Sequence, residues 1–139
     1  MRILLQPHIV PPIQELEFLG NIIIMNWHIT FFSSKVEQDT LNFPSGITAN
    51  LLHIFEMIEK FGPALGKPYT APMGNGLFEI RAKGKEGIGR SLFCMLKCKE
   101  LVVLHSFIKK TSKTPAKELN LAKKRMKEVK NGSSDTRGF

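Results

Sequence analysis

Arginine and lysine side chains in the second half of the chain carry its most specific chemistry. Arg81 and Arg90 flank a turn between two predicted strands, beside other cations. A guanidinium group is a planar fork of donors that matches the oxygens of a phosphate. A lysine crowded by other cations releases its proton more readily and can take part in proton transfer. Lys83, Lys109 and Lys110 are therefore further candidates.

A plainer interpretation exists for each of these cations. Arg81 and Arg90 could form surface ion pairs with Glu79 or Glu86. The lysines near the C-terminus could simply form the solvated face of a helix. Both interpretations stay open at the level of sequence.

The charge distribution gives the cations a context. Residues 1–80 carry four Lys/Arg and seven Asp/Glu, whereas residues 81–139 carry sixteen Lys/Arg and five Asp/Glu. Such a concentrated basic surface favours a polyanion, with RNA or DNA first and an acidic protein second. The 139 residues suit one domain, and 42% hydrophobic residues suffice for a core.

The two cysteines do not predict a metal site. Cys94 and Cys98 are four residues apart in an apolar run that is typical of a strand. Such spacing places both on one strand face, too far apart for a disulfide, and a lone pair of cysteines is a weak metal signal. We therefore predict that these are two small apolar side chains that hold no metal, in a reducing, cytoplasmic environment. Separately, we expect no cofactor.

Hydrophobic periodicity predicts the elements. Residues 27–32 are aromatic and β-branched, as in a strand. A helical stripe follows, and Gly62-Pro63 ends it. Residues 62–76 are rich in Gly and Pro and predict a structured loop. Three strands then form an antiparallel meander, and a Lys-rich helix follows Thr114-Pro115. The stripe consists of Ile47, Leu51, Ile54, Phe55, Ile58 and Phe61.

The predicted fold is α+β. A small antiparallel sheet carries the N-terminal helices on one face, and a helix ends the domain. Glu79, Arg81 and Lys83 alternate with apolar residues, so they should share the polar face. Residues 25–130 form the predicted domain, and residues 131–139 a flexible tail. Residues 1–24 contain three prolines and no membrane-length apolar run, and we expect them to be an appended or mis-called leader.

Residues 77–81, 89–93 and 104–115 carry a resemblance to a known family. The last segment includes HSFIKKTSKTP and precedes the Lys-rich helix. Together with the order of elements, these segments resemble the phage-derived, HigB-like branch of the RelE/ParE toxin superfamily. The resemblance covers about residues 26–130.

The resemblance implies a RelE-like fold and a toxin of a type II toxin–antitoxin pair. Its function would be ribosome-dependent cleavage of mRNA without a metal, and its partners a helix-turn-helix antitoxin, the ribosome and mRNA. No small-molecule substrate and no membrane is implied. The predicted catalytic residues are Arg81, Arg90, His105, Lys109 and Lys110. Those predicted to bind RNA or phosphate are Lys83, Lys85, Lys113, Lys117 and Lys124.

Two residues depart from the RelE pattern. RelE uses a tyrosine on its C-terminal helix, whereas the single tyrosine here, Tyr69, lies in the Gly/Pro-rich loop. Glu79 stands where RelE has a basic residue. Histidine titrates near neutral pH, so His105 is the best candidate for the replacement acid or base, although a structural histidine is an interpretation of at least equal weight.

Two other functions remain open. A ParE-like toxin would inhibit DNA gyrase without chemistry, and a basic regulatory protein would only bind nucleic acid. The clustered cations favour the nuclease, because a gyrase inhibitor needs no cationic cleft.

Overall fold

The computed structural model describes the backbone of residues 3–4, 16–19, 22–110 and 113–135, and the side chains of residues 26–110 and 113–132. These residues form eight strands and three helices. In chain order they are β1 (Ile3–Leu4), β2 (Leu16–Leu19), β3 (Ile22–Met25), β4 (His28–Phe31), α1 (Ser34–Leu41), α2 (Ser45–Phe61), β5 (Thr70–Gly74), β6 (Leu77–Gly84), β7 (Gly87–Leu96), β8 (Glu100–Lys109) and α3 (Ala116–Asp135).

A mostly antiparallel sheet organises the domain. Its strand order is β1-β4-β8-β7-β6-β5, with parallel pairing only at β1–β4 and β4–β8 among the described strands. The predicted α+β class is confirmed, and the meander has four strands rather than three. A separate two-stranded sheet pairs β2 with β3.

Helices α1 and α2 cover one sheet face. The predicted stripe is buried from Ile47 to Ile58, where it packs on sheet residues such as Ile80 and Phe93. Phe61, the last predicted member, is instead 77% exposed. The helix ends there because Gly62 follows with a φ of 90°, a conformation that favours glycine.

Helix α3 packs on the opposite face. Ala122 is fully buried against a second cluster that includes Leu92, Cys94 and Leu104. Arg125 donates from Nη1 to the carbonyl oxygen of Leu104 at 2.8 Å, and its guanidinium lies 5.1 Å from the centre of the Phe32 ring. The sheet therefore has helices on both faces, whereas the sequence had suggested helices on only one face.

Two local predictions were wrong. Residues 70–74, predicted as loop, form the edge strand β5. An edge strand tolerates Pro72, which lacks an N–H donor. Because proline is uncommon in strands, its presence led to the prediction of a loop. Cys98 lies in the exposed turn between β7 and β8 with a φ of 61°, not on the strand with Cys94.

The predicted terminal segments are only partly described. Most of residues 1–24 and residues 136–139 lie outside the described residues. Helix α3 continues to Asp135, so the first five residues of the predicted tail are helical.

Candidate active site

The sheet face that carries α3 also carries a cluster of polar and charged side chains toward the β6–β7 turn. We call it the polar face. The strand register places these side chains in three cross-strand rows. The rows run Glu79–Leu92–His105, Arg81–Arg90–Phe107 and Lys83–Ile88–Lys109.

A buried ion pair lies at the centre of the polar face. Arg90 Nη1 donates to both carboxylate oxygens of Glu79, at 2.7 Å and 2.6 Å. The side chains are 5% and 1% exposed, respectively. Buried charges persist only with such compensation, so each side chain holds the other in place. Arg90 Nε has no hydrogen-bond partner among the described residues.

Arg81 is the accessible partner of the same carboxylate. Its Nε donates to Glu79 Oε1 at 2.8 Å, and its side chain is 34% exposed. One carboxylate therefore orients two guanidinium groups, of which Arg81 reaches solvent and Arg90 does not. The sequence allowed ion pairs between these arginines and Glu79 on the surface. Those pairs do form, but they are not on the surface, because the Glu79 carboxylate is buried.

Glu86 does not join these pairs. Its Oε2 accepts a hydrogen bond from the backbone N–H of Gly46 at 3.0 Å, in the first turn of α2. That bond lowers the pKa of the Glu86 carboxyl. The β6–β7 turn is thus tied to α2, and its acid is used for structure.

Lys109 lies half-buried at the end of β8 beside the arginines. Loss of hydration lowers its pKa, and the charges of Arg90 and Arg81 lower it further, while Glu79 opposes the shift. A lowered pKa suits a lysine that exchanges a proton with a substrate. The predicted grouping of Arg81, Arg90 and Lys109 is therefore present on one face.

His105 approaches the polar face from the next row. Its Nε2 lies 2.7 Å from Glu118 Oε1 of α3. Its ring stacks on Phe107 with centroids 5.5 Å apart. The histidine is thus held from two sides beside the arginine row.

The remaining predicted cations lie on exposed parts of β6, of two connections and of α3. Lys83 lies in the third row, and Lys85 is exposed in the β6–β7 turn. Lys110 and Lys113 are exposed in the connection from β8 to α3, and Lys117 in the first turn of α3. Lys124 is exposed on α3, two residues from the buried Ala122, so it faces away from the sheet.

Sequence reasoning missed two acids that organise the site. Glu79 was seen as a departure from a pattern and as a possible surface partner, not as a buried centre. Its signal was its position two residues before Arg81 on one strand face. Glu118 gave no signal, because its contact with His105 depends on how α3 packs on the sheet.

One protein-family model matches the chain. It describes the family as "Phage derived protein Gp49-like (DUF891)", and it matches residues 38–127, more than half of the 139 residues. The chain belongs to the Gp49-like family. The match includes the whole polar face and Glu118. No curated protein matches the chain.

Membership of the Gp49-like family indicates the functional class of the chain. The Gp49-like family is a RelE-like toxin family of toxin–antitoxin systems, and a toxin implies an antitoxin partner. Among the described helices, none has the length and apolar character needed to cross a membrane. Within the same residues, no three His, Cys, Asp or Glu side chains lie close enough to hold a metal ion.

Proposed function

We propose that this Gp49-like toxin belongs to the HigB-like branch and is a ribosome-dependent mRNA endoribonuclease. The observation that carries the proposal is the polar face itself, with two arginines on one buried carboxylate and Lys109 beside them. A toxin that acted only by binding would not need this arrangement.

RNA cleavage of this type has three chemical requirements. The ribose 2′-OH loses its proton and attacks the neighbouring phosphorus. The bond from phosphorus to the 5′ oxygen then breaks, and that oxygen takes up a proton. Cations must stabilise the extra negative charge on the phosphate during these steps.

The structure suggests a division of roles. Arg81 and Lys109 reach solvent, so they would contact the phosphate. Arg90 is buried, so it would act mainly by orienting Glu79, and through Glu79 Arg81. His105 and Lys109 are the candidates for proton transfer.

The surrounding lysines would guide the substrate rather than cut it. Lys83, Lys85, Lys110, Lys113 and Lys117 extend the positive charge around the polar face. Phosphate contacts of this kind contribute affinity that falls with salt concentration.

The test is induced expression in a bacterial host, with transcript 5′ ends mapped within minutes. The wild type should produce new cuts inside translated regions. Arg81→Ala and Lys109→Ala should reduce cutting by about a hundredfold, the usual effect of losing one stabilising charge. Lys60→Ala, which removes an exposed lysine from α2 on the opposite face, is the matched control and should cut normally.

Other outcomes point elsewhere. Growth arrest without cuts, together with inhibition of gyrase supercoiling, would replace the nuclease with a ParE-like inhibitor. Harmless expression of soluble wild-type protein would leave only a binding protein. Arg90→Ala is a poor first variant, because it leaves a buried carboxylate with one partner and threatens folding.

A further inference from the structure

Glu118 holds one ring nitrogen of His105. The distance from Glu118 Oε1 to His105 Nε2 is 2.7 Å, and the side chains are 26% and 15% exposed. The two residues come from different elements, since His105 lies on β8 and Glu118 in the first turn of α3. The pair is therefore formed only when α3 is packed on the sheet.

This contact selects one tautomer of the neutral ring. A carboxylate only accepts hydrogen bonds, so the nitrogen that faces it must carry the proton. The proton is then on Nε2, and the lone pair is on Nδ1. A neutral histidine with this tautomer can take a proton only at Nδ1.

Stacking restrains the same ring in a second way. The His105 and Phe107 rings lie 25° from parallel with centroids 5.5 Å apart. Phe107 stands in the cross-strand row of Arg81 and Arg90. The ring of His105 is thus fixed in tautomer and in rotation at the border of the cationic row.

Contacts other than that of Glu118 also attach α3 to the sheet. Arg125 binds the carbonyl oxygen of Leu104 and lies over the ring of Phe32, and Ala122 is buried in the second core cluster. These contacts lie one to two turns further along the helix. The contact of the Glu118 carboxylate with His105 therefore suggests a role beyond the docking of α3 on the sheet.

We propose that Glu118 is a positioning residue for the RNA cut, which fixes His105 as the Nε2–H tautomer so that Nδ1 exchanges the proton with the substrate. The inference rests on the proposed nuclease function. In the cut, Nδ1 takes the proton of the 2′-OH or, when protonated, gives one to the leaving 5′ oxygen. Glu118 contacts neither the RNA nor the reacting atoms.

The first test is the tautomer of His105 in the full-length protein, read from the ¹⁵N chemical shifts of its ring at a pH where the titration of those shifts shows the ring to be neutral. The wild type should show the Nε2–H form. Glu118→Ala should give a mixture or the Nδ1–H form. Glu128→Ala removes an exposed acid from the same helix, so it should leave the wild-type signals unchanged.

The second test is a double-mutant cycle on programmed ribosomes, measured as single-turnover cleavage. Glu118→Ala should slow the cut at least about tenfold, with the half-saturating concentration changed less than about twofold. In a His105→Ala background, the same change should have no further effect, because the residue through which it acts is gone. Glu118→Asp should restore part of the rate.

The outcomes separate the two proposals. If the wild type cuts nothing, the proposed function fails, and this inference fails with it. If the wild type cuts and Glu118→Ala cuts equally fast, only this inference fails. It also fails if Glu118→Ala slows the cut equally with and without His105, since that result describes a merely structural role.

Discussion

Arg90 Nη1 is bound by both carboxylate oxygens of Glu79, at 2.6 Å and 2.7 Å, and neither side chain is more than 5% exposed. A buried pair of this kind adds little net stability compared with apolar residues of the same size. Removing one partner is costly, because it leaves the other charge buried without compensation. The main effect of the pair is therefore to hold the side chains of Glu79, Arg90 and Arg81 in fixed positions on the polar face.

Glu79→Ala should therefore destabilise the fold far more than an ordinary acid-to-alanine change. We expect a loss of about 3–5 kcal/mol in the free energy of unfolding, since Arg90 keeps its buried charge. A double variant, Glu79→Leu with Arg90→Met, should recover most of that loss. Urea denaturation of the three proteins measures both effects.

Glu56→Ala is the matched control for this series. Glu56 is an exposed acid on α2, and its removal should change the free energy of unfolding by less than about 0.5 kcal/mol. Equal effects of Glu79→Ala and Glu56→Ala would show that the buried pair does not matter for stability.

Gly84 lies where the β6–β7 hairpin closely approaches α2. A Cβ atom there would lie 2.5 Å from the backbone nitrogen of Ile47 and 2.6 Å from the carbonyl carbon of Gly46. Backbone atoms cannot move aside like a flexible side chain, so Gly84→Ala should displace the first turn of α2. We expect a destabilisation of about 1–3 kcal/mol, measured by urea denaturation.

Gly132→Ala on α3 is the control for the same chemical change. A Cβ atom at Gly132 would meet no atom within 4 Å. In a helix, alanine is favoured over glycine, so the variant should be neutral or more stable by up to about 1 kcal/mol. A destabilised Gly132→Ala, or a neutral Gly84→Ala, would contradict this account of the packing.

The two thiols should differ strongly in reactivity. Cys94 is fully buried, and burial raises its pKa to about 11, whereas Cys98 is exposed in the β7–β8 turn. A thiol reagent at neutral pH should modify one cysteine quickly, and Cys98→Ser should abolish this reaction. Two fast thiols in the wild type, or one in Cys98→Ser, would mean that the β7 core opens readily.

Local patterns predicted local features of this fold. The buried part of the α2 stripe follows directly from a spacing of three or four residues, and the alternation along β6 correctly separated Ile80 from Arg81. Strand β5 was not predicted, because Pro72 and the neighbouring glycines are typical of a loop. A proline is tolerated in this strand because the strand lies at the edge of the sheet.

The contacts that organise the candidate site depend on tertiary structure. The burial of Glu79 requires the β6–β7 register, which places Arg81 directly opposite Arg90. The contact between His105 and Glu118 requires α3 to fold back on the sheet. Composition indicates that cations are numerous, but it does not indicate which of them a carboxylate holds in place.

Glu100 gives the fold a pH dependence of its own. This acid begins β8 and is 6% exposed. Burial raises its pKa to about 7, while a hydrogen bond from Thr30 Oγ1 at 3.2 Å partly opposes the shift. In the unfolded chain the same group should titrate near its ordinary value of 4.5. Between these two values the folded protein holds a proton that the unfolded chain has released.

Stability should therefore fall as pH rises through this window, because the folded state binds more protons than the unfolded state. The contribution of Glu100 should be complete below about pH 4.5 and lost by about pH 7, a change of roughly 3 kcal/mol. Glu100→Gln cannot titrate, so its stability should lack this dependence on pH.

The measurement is the free energy of unfolding in urea from pH 4.5 to 8 for the wild type and Glu100→Gln. The difference between the two proteins is used, so that the contributions of other groups cancel. Glu128→Gln, an exposed acid on α3, should run parallel to the wild type. Parallel curves for the wild type and Glu100→Gln would mean that folding does not raise the pKa of Glu100 above its ordinary value.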